Sequence, residues 1–323
     1  MSLDVRRAVK LVPQSKVLNP DNFYHEAQIL KAVEHPNIVR VEDAGVLEDG
    51  RIYVSMEYLP KGSLEDEARG AYIPLTRTRR VMIDVLRGLE HAHNSELIHR
   101  DIKPANILIG TNKEGKLSDF GLAVPIGTDF NSMNLKDYAY FLHMAPEVHQ
   151  DRRYSILSDI YACGVTMYRL VNGDSYLRHL DSDDVEEQAM RGKFPNRSSY
   201  REFITRPIKT IINRAMHVDP DARFQSARSM RRSLEQVVVD MNWNEQRTSK
   251  AVEWTCGWGE MCYEVTRSRS AGSRWQVEVR KGRSRKTMRR VVGLCSYDLP
   301  KVSAEQVTRR ILQDFVLGSV EQS

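Results

Sequence analysis

Residues 99–121 read HRDIKPANILIGTNKEGKLSDFG. Two aspartates, Asp101 and Asp119, lie 18 residues apart in loop-like contexts, each flanking a strand-like run, 107–109 and 116–118. Phosphoryl transfer needs a particular set of groups. One carboxylate orients the attacking hydroxyl, and a second carboxylate with an amide oxygen holds divalent metal against the phosphates. A lysine can neutralise charge on the group in flight. Asp101, Lys103, Asn106 and Asp119 are those residue types, gathered within 19 residues of chain.

Outward from this stretch the chain divides by pattern. Residues 5–12 are Val-rich and strand-like. Phe23, Ala27, Leu30 and Val33 recur at helical spacing behind Asp21 as N-cap. Strand-like runs at 38–46 and 51–58 flank a turn at Glu48-Asp49-Gly50. Beyond Gly62 the periodicity is helical, and Val81, Val85, Leu89 and Ala92 share one face of a helix over 76–95. Helical segments recur to about residue 241, interrupted by a loop region at 99–147. A small strand-rich part before a larger helical part predicts two lobes.

The HRDxKxxN and DFG motifs resemble the catalytic and metal-binding loops of the eukaryotic-type Ser/Thr protein kinase family. The resemblance makes Asp101 the catalytic base, Lys103 a contact to the transferred phosphate, and Asn106 and Asp119 magnesium ligands. Further matches follow in the family's order. Arg-Ala-Val-Lys at 7–10 makes Lys10 the nucleotide lysine, and Glu26 its helix partner. Ser55-Met56-Glu57-Tyr58-Leu59 resembles the hinge, where backbone groups of Glu57, Tyr58 and Leu59 would meet adenine. Ala145-Pro146-Glu147 resembles the end of the activation segment. Asp159 matches the aspartate that braces the catalytic loop, and Arg223 the arginine that pairs with Glu147.

The resemblance spans residues 5 to about 240 and implies an α+β, bilobal protein-kinase fold. Its kinase domain covers 1–245, with a shortened small β lobe over 1–60 and a large helical lobe over 61–245. The implied activity moves the γ-phosphate of ATP, with Mg2+, to Ser/Thr hydroxyls of protein substrates, autophosphorylation included. A pseudokinase scaffold and a small-molecule kinase on the same fold are the alternatives.

Two features depart from the family pattern. Kinases cover ATP phosphates with a Gly-rich hairpin before the lysine strand, yet nine residues precede Lys10 and the first glycine is Gly45. A truncated start, nucleotide binding without a lid or with one lent by another segment or chain, and a pseudokinase each account for this. The Val5–Val12 strand is left as an open sheet edge that a tail strand or a partner could cover. In the activation segment, Tyr140 stands where Ser/Thr kinases carry threonine, and His143 where they carry tyrosine. Arg100 resembles the arginine that receives an activation-loop phosphate, for which Thr128, Ser132 and Tyr138 are candidates.

The tail, 246–323, lies beyond the resemblance. Alternation at 261–265 and 275–279, with a third run at 288–294, predicts strands. Ser303-Ala304-Glu305-Gln306 predicts a capping box opening a helix that stops at Gly318. Together these make a small α+β module of β-β-β-α order. Trp254, Trp258 and Trp275 are its expected core, with a nucleic-acid stacking platform as the minority reading. Cys256, Cys262 and Cys295 read as small buried hydrophobes, since zinc would need a fourth ligand and no histidine follows His217.

Composition bounds the rest. The 323 residues are 41% hydrophobic and 28% charged, which excludes a largely disordered chain. No apolar run approaches a membrane span, no secretory signal is visible, and four cysteines fit a reducing cytoplasm. The formal charge of +5 is uneven: residues 247–323 carry +7 and the remainder −2. Arg280, Lys281, Arg283, Arg285, Lys286, Arg289 and Arg290 place seven cations in eleven residues. An acidic protein partner docking on this module, an anionic membrane or a nucleic acid would suit such a surface, and a solvated turn would equally explain it.

Overall fold

The computed structural model describes residues 6–12, 34–119, 124–125, 141–151, 154–177, 182–270 and 272–319. The helix expected over 21–33, with Glu26, lies outside them, as do Thr128, Ser132, Tyr138 and Tyr140. The chain divides into two compact units. One comprises Met1–Ile73, Arg79–Ser199 and Thr210–Glu235. The other comprises Pro74–Thr78, Tyr200–Lys209 and Gln236–Ser323.

In the first unit, β1 (Arg7–Val12), β2 (Val41–Val46) and β3 (Ile52–Glu57) form an antiparallel sheet of order β1-β3-β2. Gly50 takes φ +82° in the turn between β2 and β3, a conformation glycine adopts without steric cost. Among the described residues β1 pairs only β3, and Val9 and Leu11 on it are exposed. The tail strands pair with one another in a sheet of their own.

Helices follow. Ser63 caps α1 (Leu64–Ala68) in a reciprocal box with Asp66. The helix α2 (Leu75–Asn94) turns Val81, Met82, Val85, Leu86, Leu89 and Ala92 to the core at zero exposure. Burying each large side chain there contributes roughly 1.5–3 kcal/mol. Gly88 is required by close approach, because a Cβ there would stand 2.5 Å from the Asn37 carbonyl oxygen. That approach brings the 37–39 segment over α2.

Beyond α2 come the short strands β4 (Leu97–Ile98), β5 (Ile107–Ile109), β6 (Gly115–Leu117) and β7 (Val124–Pro125). They pair as β4 with β7 and β5 with β6. Then come α3 (Pro146–Asp151), α4 (Ile156–Asn172), α5 (Ser182–Met190), α6 (Arg206–Ala215) and α7 (Ala227–Glu235). Ser155 caps α4, and from Ser158 to Asn172 every residue of that helix is buried.

The tail part of the second unit holds, among the described residues, a six-stranded antiparallel sheet followed by a helix. Its strands are β8 (Asn244–Arg247), β9 (Ala251–Trp258), β10 (Met261–Arg269), β11 (Trp275–Gly282), β12 (Arg289–Arg290) and β13 (Ser296–Leu299), with α8 (Lys301–Val316) last. The order is β12-β11-β10-β9-β8, and β13 also pairs β11. The three-strand expectation is therefore corrected. Val252, Trp254 and Cys256 alternate inward on β9, a strand the sequence reading passed over. The run at 288–294 holds two residues of strand, Arg289–Arg290, and then a 3₁₀ turn at Val292–Leu294. The helix begins after Pro300, whose φ of −58° suits a helix entrance, so Ser303 lies inside it rather than capping it. It stops where expected: Gly318 has φ +66°, and a Cβ there would meet Asp240 Oδ2 at 2.4 Å.

Trp254 is fully buried, but Trp258 and Trp275 are only half-buried. Cys256 is buried, its Sγ 3.5 Å from Met241 Sδ, whereas Cys262 and Cys295 are half-exposed, correcting the uniform buried reading. Trp243 packs edge-on against Phe315 and donates its Nε1–H to the Leu312 carbonyl at 3.0 Å. The sheet register puts Glu253, Glu264, Glu278 and Arg280 on one face. Arg280 and Arg290 donate to Glu278 at 3.0 and 2.9 Å, and Arg285 to Glu253 at 2.5 Å. Three cations of the basic run thus meet carboxylates of their own sheet.

Candidate active site

The chain between β4 and β5 is shaped by a buried carboxylate. Asp159, in the first turn of α4, accepts the backbone N–H groups of His99 and Arg100, each at 2.8 Å. His93 Nε2 lies 2.9 Å from the same carboxylate. Arg100 takes φ +72°, a left-handed conformation unusual for a side-chain-bearing residue, and the paired bonds to Asp159 hold it there. The Arg100 guanidinium is buried over the Tyr154 ring, 4.4 Å from its centroid.

This bend presents Asp101. Its Oδ2 accepts from Lys103 Nζ at 2.7 Å and from Asn106 Nδ2 at 2.8 Å. Asn106 Nδ2 also donates to the Asp101 carbonyl at 2.8 Å, so its amide nitrogen is committed and its oxygen is the atom left to bind a cation. The strand β6 leads directly to Ser118 and Asp119. Ser118 donates its N–H and its hydroxyl to the Asn106 carbonyl at 2.9 and 3.1 Å. Asp119 itself takes φ +61° and is paired with Lys10 of β1. The structure therefore brings Asp101, Lys103 and Asn106 together, and joins Lys10 to Asp119. Glu57 closes β3, its N–H donating to the Arg40 carbonyl at 3.0 Å, and Tyr58 after it is exposed.

His99 has no exposed surface and bridges the two loops. Its Nε2 lies 3.0 Å from the Ser118 carbonyl, which can only accept, so Nε2 carries the proton. Nδ1 is then the acceptor for the Asp101 N–H at 3.3 Å. Burial depresses the imidazole pKa below its ordinary value, opposed by the nearby Asp159 and Asp101 charges. His143 is likewise buried and pushed well below the ordinary range, chiefly by desolvation, with the Arg169 and Lys103 charges adding to it. A histidine that resists protonation when folded lets the unfolded chain bind more protons in acid. Stability is therefore expected to be intact above pH ~6.5 and to fall as pH drops below it. Thermal melts from pH 8 to 5 check this, and His99→Gln should flatten part of the slope.

Arg223 is fully buried and forms a two-pronged pair with Glu147, at 2.7 and 2.6 Å. It also donates to the carbonyls of His217, Leu157 and Val218. The bidentate fork fixes the start of α3.

The family model for the protein kinase domain matches residues 4–234. The chain belongs to the protein kinase family. Among similar curated proteins is the serine/threonine-protein kinase PknJ of Mycobacterium tuberculosis, 32% identical over 211 residues, covering 64% of this chain and 36% of that protein. The serine/threonine-protein kinase PrkC of Bacillus subtilis is 27% identical over 227 residues, 70% of this chain and 35% of its own length. The calcium/calmodulin-dependent protein kinase type II alpha chain of Drosophila melanogaster is 28% identical over 234 residues, covering 69% and 43%. The kinase chain thus spans about a third to two fifths of the length of these relatives. No helix among the described residues of this kinase is long and apolar enough to cross a membrane.

Several residues that shape the site carried no motif. His93, Ser118, Lys116 and Tyr154 act through contacts to residues distant in sequence. Lys116 and Ser118 sat near a recognisable signal, within three residues of Asp119.

Proposed function

We propose that this kinase-family chain transfers the γ-phosphate of ATP to Ser/Thr hydroxyls of protein substrates, itself included. The reading rests on one observation above the others: Asp101, Lys103 and Asn106 share hydrogen bonds at Asp101 Oδ2, on a loop braced by Asp159. The names of the similar proteins PknJ and PrkC agree with it.

In this reading the Asp101 carboxylate receives the proton of the substrate hydroxyl. The Lys103 ammonium offsets charge on the transferring group, and Lys10 meets the α/β-phosphates once they draw it from Asp119. Asp119 and the Asn106 amide oxygen would hold magnesium; a carboxylate and an amide are hard oxygen donors that suit an ion keeping phosphate and water in its remaining positions. Magnesium supplies neutralisation of the phosphate charge. Glu26 would hold Lys10 in place, and backbone groups of Glu57, Tyr58 and Leu59 would meet adenine. The catalytic domain occupies 1–245, and 246–323 is an appended module.

The test is incubation with γ-labelled ATP, magnesium and a generic basic protein, followed by phosphoamino-acid analysis. Label in phosphoserine and phosphothreonine is expected, abolished by chelating the metal. Nucleotide binding without any transfer would instead support a scaffold.

A further inference from the structure

Lys116 has no part in the motifs, yet it occupies a junction. It lies at the centre of β6, three residues before Asp119. Its Nζ donates to Glu57 Oε1 at 2.7 Å, and the two side chains are only 14% and 21% exposed. The same Glu57 oxygen accepts the Arg40 N–H at 2.9 Å. The neighbouring Leu117 exchanges backbone hydrogen bonds with the 37–39 segment: Val39 N–H to the Leu117 carbonyl at 2.8 Å, and Leu117 N–H to the Asn37 carbonyl at 2.9 Å. Arg40, Glu57, Lys116, Leu117 and Val39 therefore close a ring of bonds. One side of this ring is the end of β3, from which Tyr58 and Leu59 continue. The other side is the end of β6, from which Ser118 and Asp119 continue.

We infer that Lys116 is a positioning residue for nucleotide binding, holding the end of β3 at a fixed span from the Asp119 loop through its ion pair with Glu57. The inference rests on the ATP reading given above. Two consequences follow from the geometry. The pair sets the distance between the segment expected at adenine and the group expected at the metal, so it acts on how well one nucleotide meets both. It also neutralises a largely buried carboxylate beside a site that must receive a polyanion. Removing one member of such a pair strands the other charge, whereas removing both is often nearly neutral.

The experiment uses the full chain and three proteins: wild type, Lys116→Met and Lys116→Arg. KM for ATP, kcat, direct binding of a fluorescent ATP analogue with magnesium, and melting temperature without nucleotide are measured for each. Lys116→Met should raise KM and the analogue Kd about tenfold with kcat within about twofold, the mark of lost uniform binding. Lys116→Arg should return both to within about threefold of wild type, since it keeps the charge and can still pair with Glu57. Lys116→Met with unchanged KM and Kd would overturn the positioning role, as would Lys116→Arg no better than Lys116→Met. A lowered melting temperature with no change in nucleotide affinity would do the same by showing a purely structural pair. Wild-type protein that binds no ATP analogue would overturn the ATP reading itself, and this inference with it.

Discussion

Asp101→Asn is expected to lower kcat by about 10²- to 10⁴-fold, the usual contribution of a positioned general base. Asparagine has nearly the same shape and can still accept from Lys103 and Asn106, which both bond to Asp101 Oδ2. It cannot take a proton from a hydroxyl. KM for ATP should stay within about threefold, because the groups expected to hold nucleotide are untouched and lost catalysis then falls on kcat. Asp101→Ala should be as inactive and also less stable. It removes the carboxylate oxygen that Lys103 and Asn106 both bond, and a hydrogen bond to a charged group is worth about 1.5–3 kcal/mol. Single-turnover transfer from labelled ATP, with circular dichroism to confirm folding, separates the two effects. An Asn variant that transfers phosphate at the wild-type rate would remove Asp101 from the chemistry.

How much of this was legible beforehand follows from where the information lies. The 99–121 stretch could be read because a phosphoryl-transfer site constrains residue type and spacing within one short segment. Arg223 and Asp159 could be read only through the family's order of motifs, since their partners Glu147 and the 99–100 backbone are 76 and about 60 residues away. Lys116 and His93 carry no such order. Each becomes informative only when folding brings a strand or helix against a distant carboxylate. The tail shows a different limit. Val252, Trp254 and Cys256 alternate as a strand should, but they come soon after a helical pattern that runs to about residue 241, which hides the change of period. The charge count located the cations but not the groups they meet. Glu264 stands opposite Arg280 across β10 and β11, 16 residues apart in sequence, so composition could not show that carboxylates underlie the cations.

Arg267→Met is expected to cost about 3–5 kcal/mol, because it breaks a buried ion pair from one side. Arg267 on β10 donates to both oxygens of Glu202, at 2.6 and 2.9 Å, with side-chain exposures of 6% and 12%. Its guanidinium also lies over the buried Trp254 ring, 5.4 Å from the centroid. Methionine fills much of the same volume, so packing is largely kept and the loss is electrostatic. Among the described residues Glu202 would keep the Arg247 ion pair at 3.8 Å. It cannot simply turn to solvent, because the chain around it is pinned: Gln313 of α8 donates to the carbonyls of Glu202 and Ile204, both at 2.9 Å. Beside it Glu245, with a side chain 1% exposed, already accepts from Arg201, Arg247 and Trp254. A fall in melting temperature of roughly 10 °C or more should result for a unit of this size. Arg267→Met with Glu202→Leu should recover most of it, since no charge is then stranded. Arg285→Ala is the internal control: its pair with Glu253 involves a side chain 71% exposed and should be worth at most about 1 kcal/mol. Equal losses for Arg267→Met and Arg285→Ala would show that burial does not set the strength of these pairs.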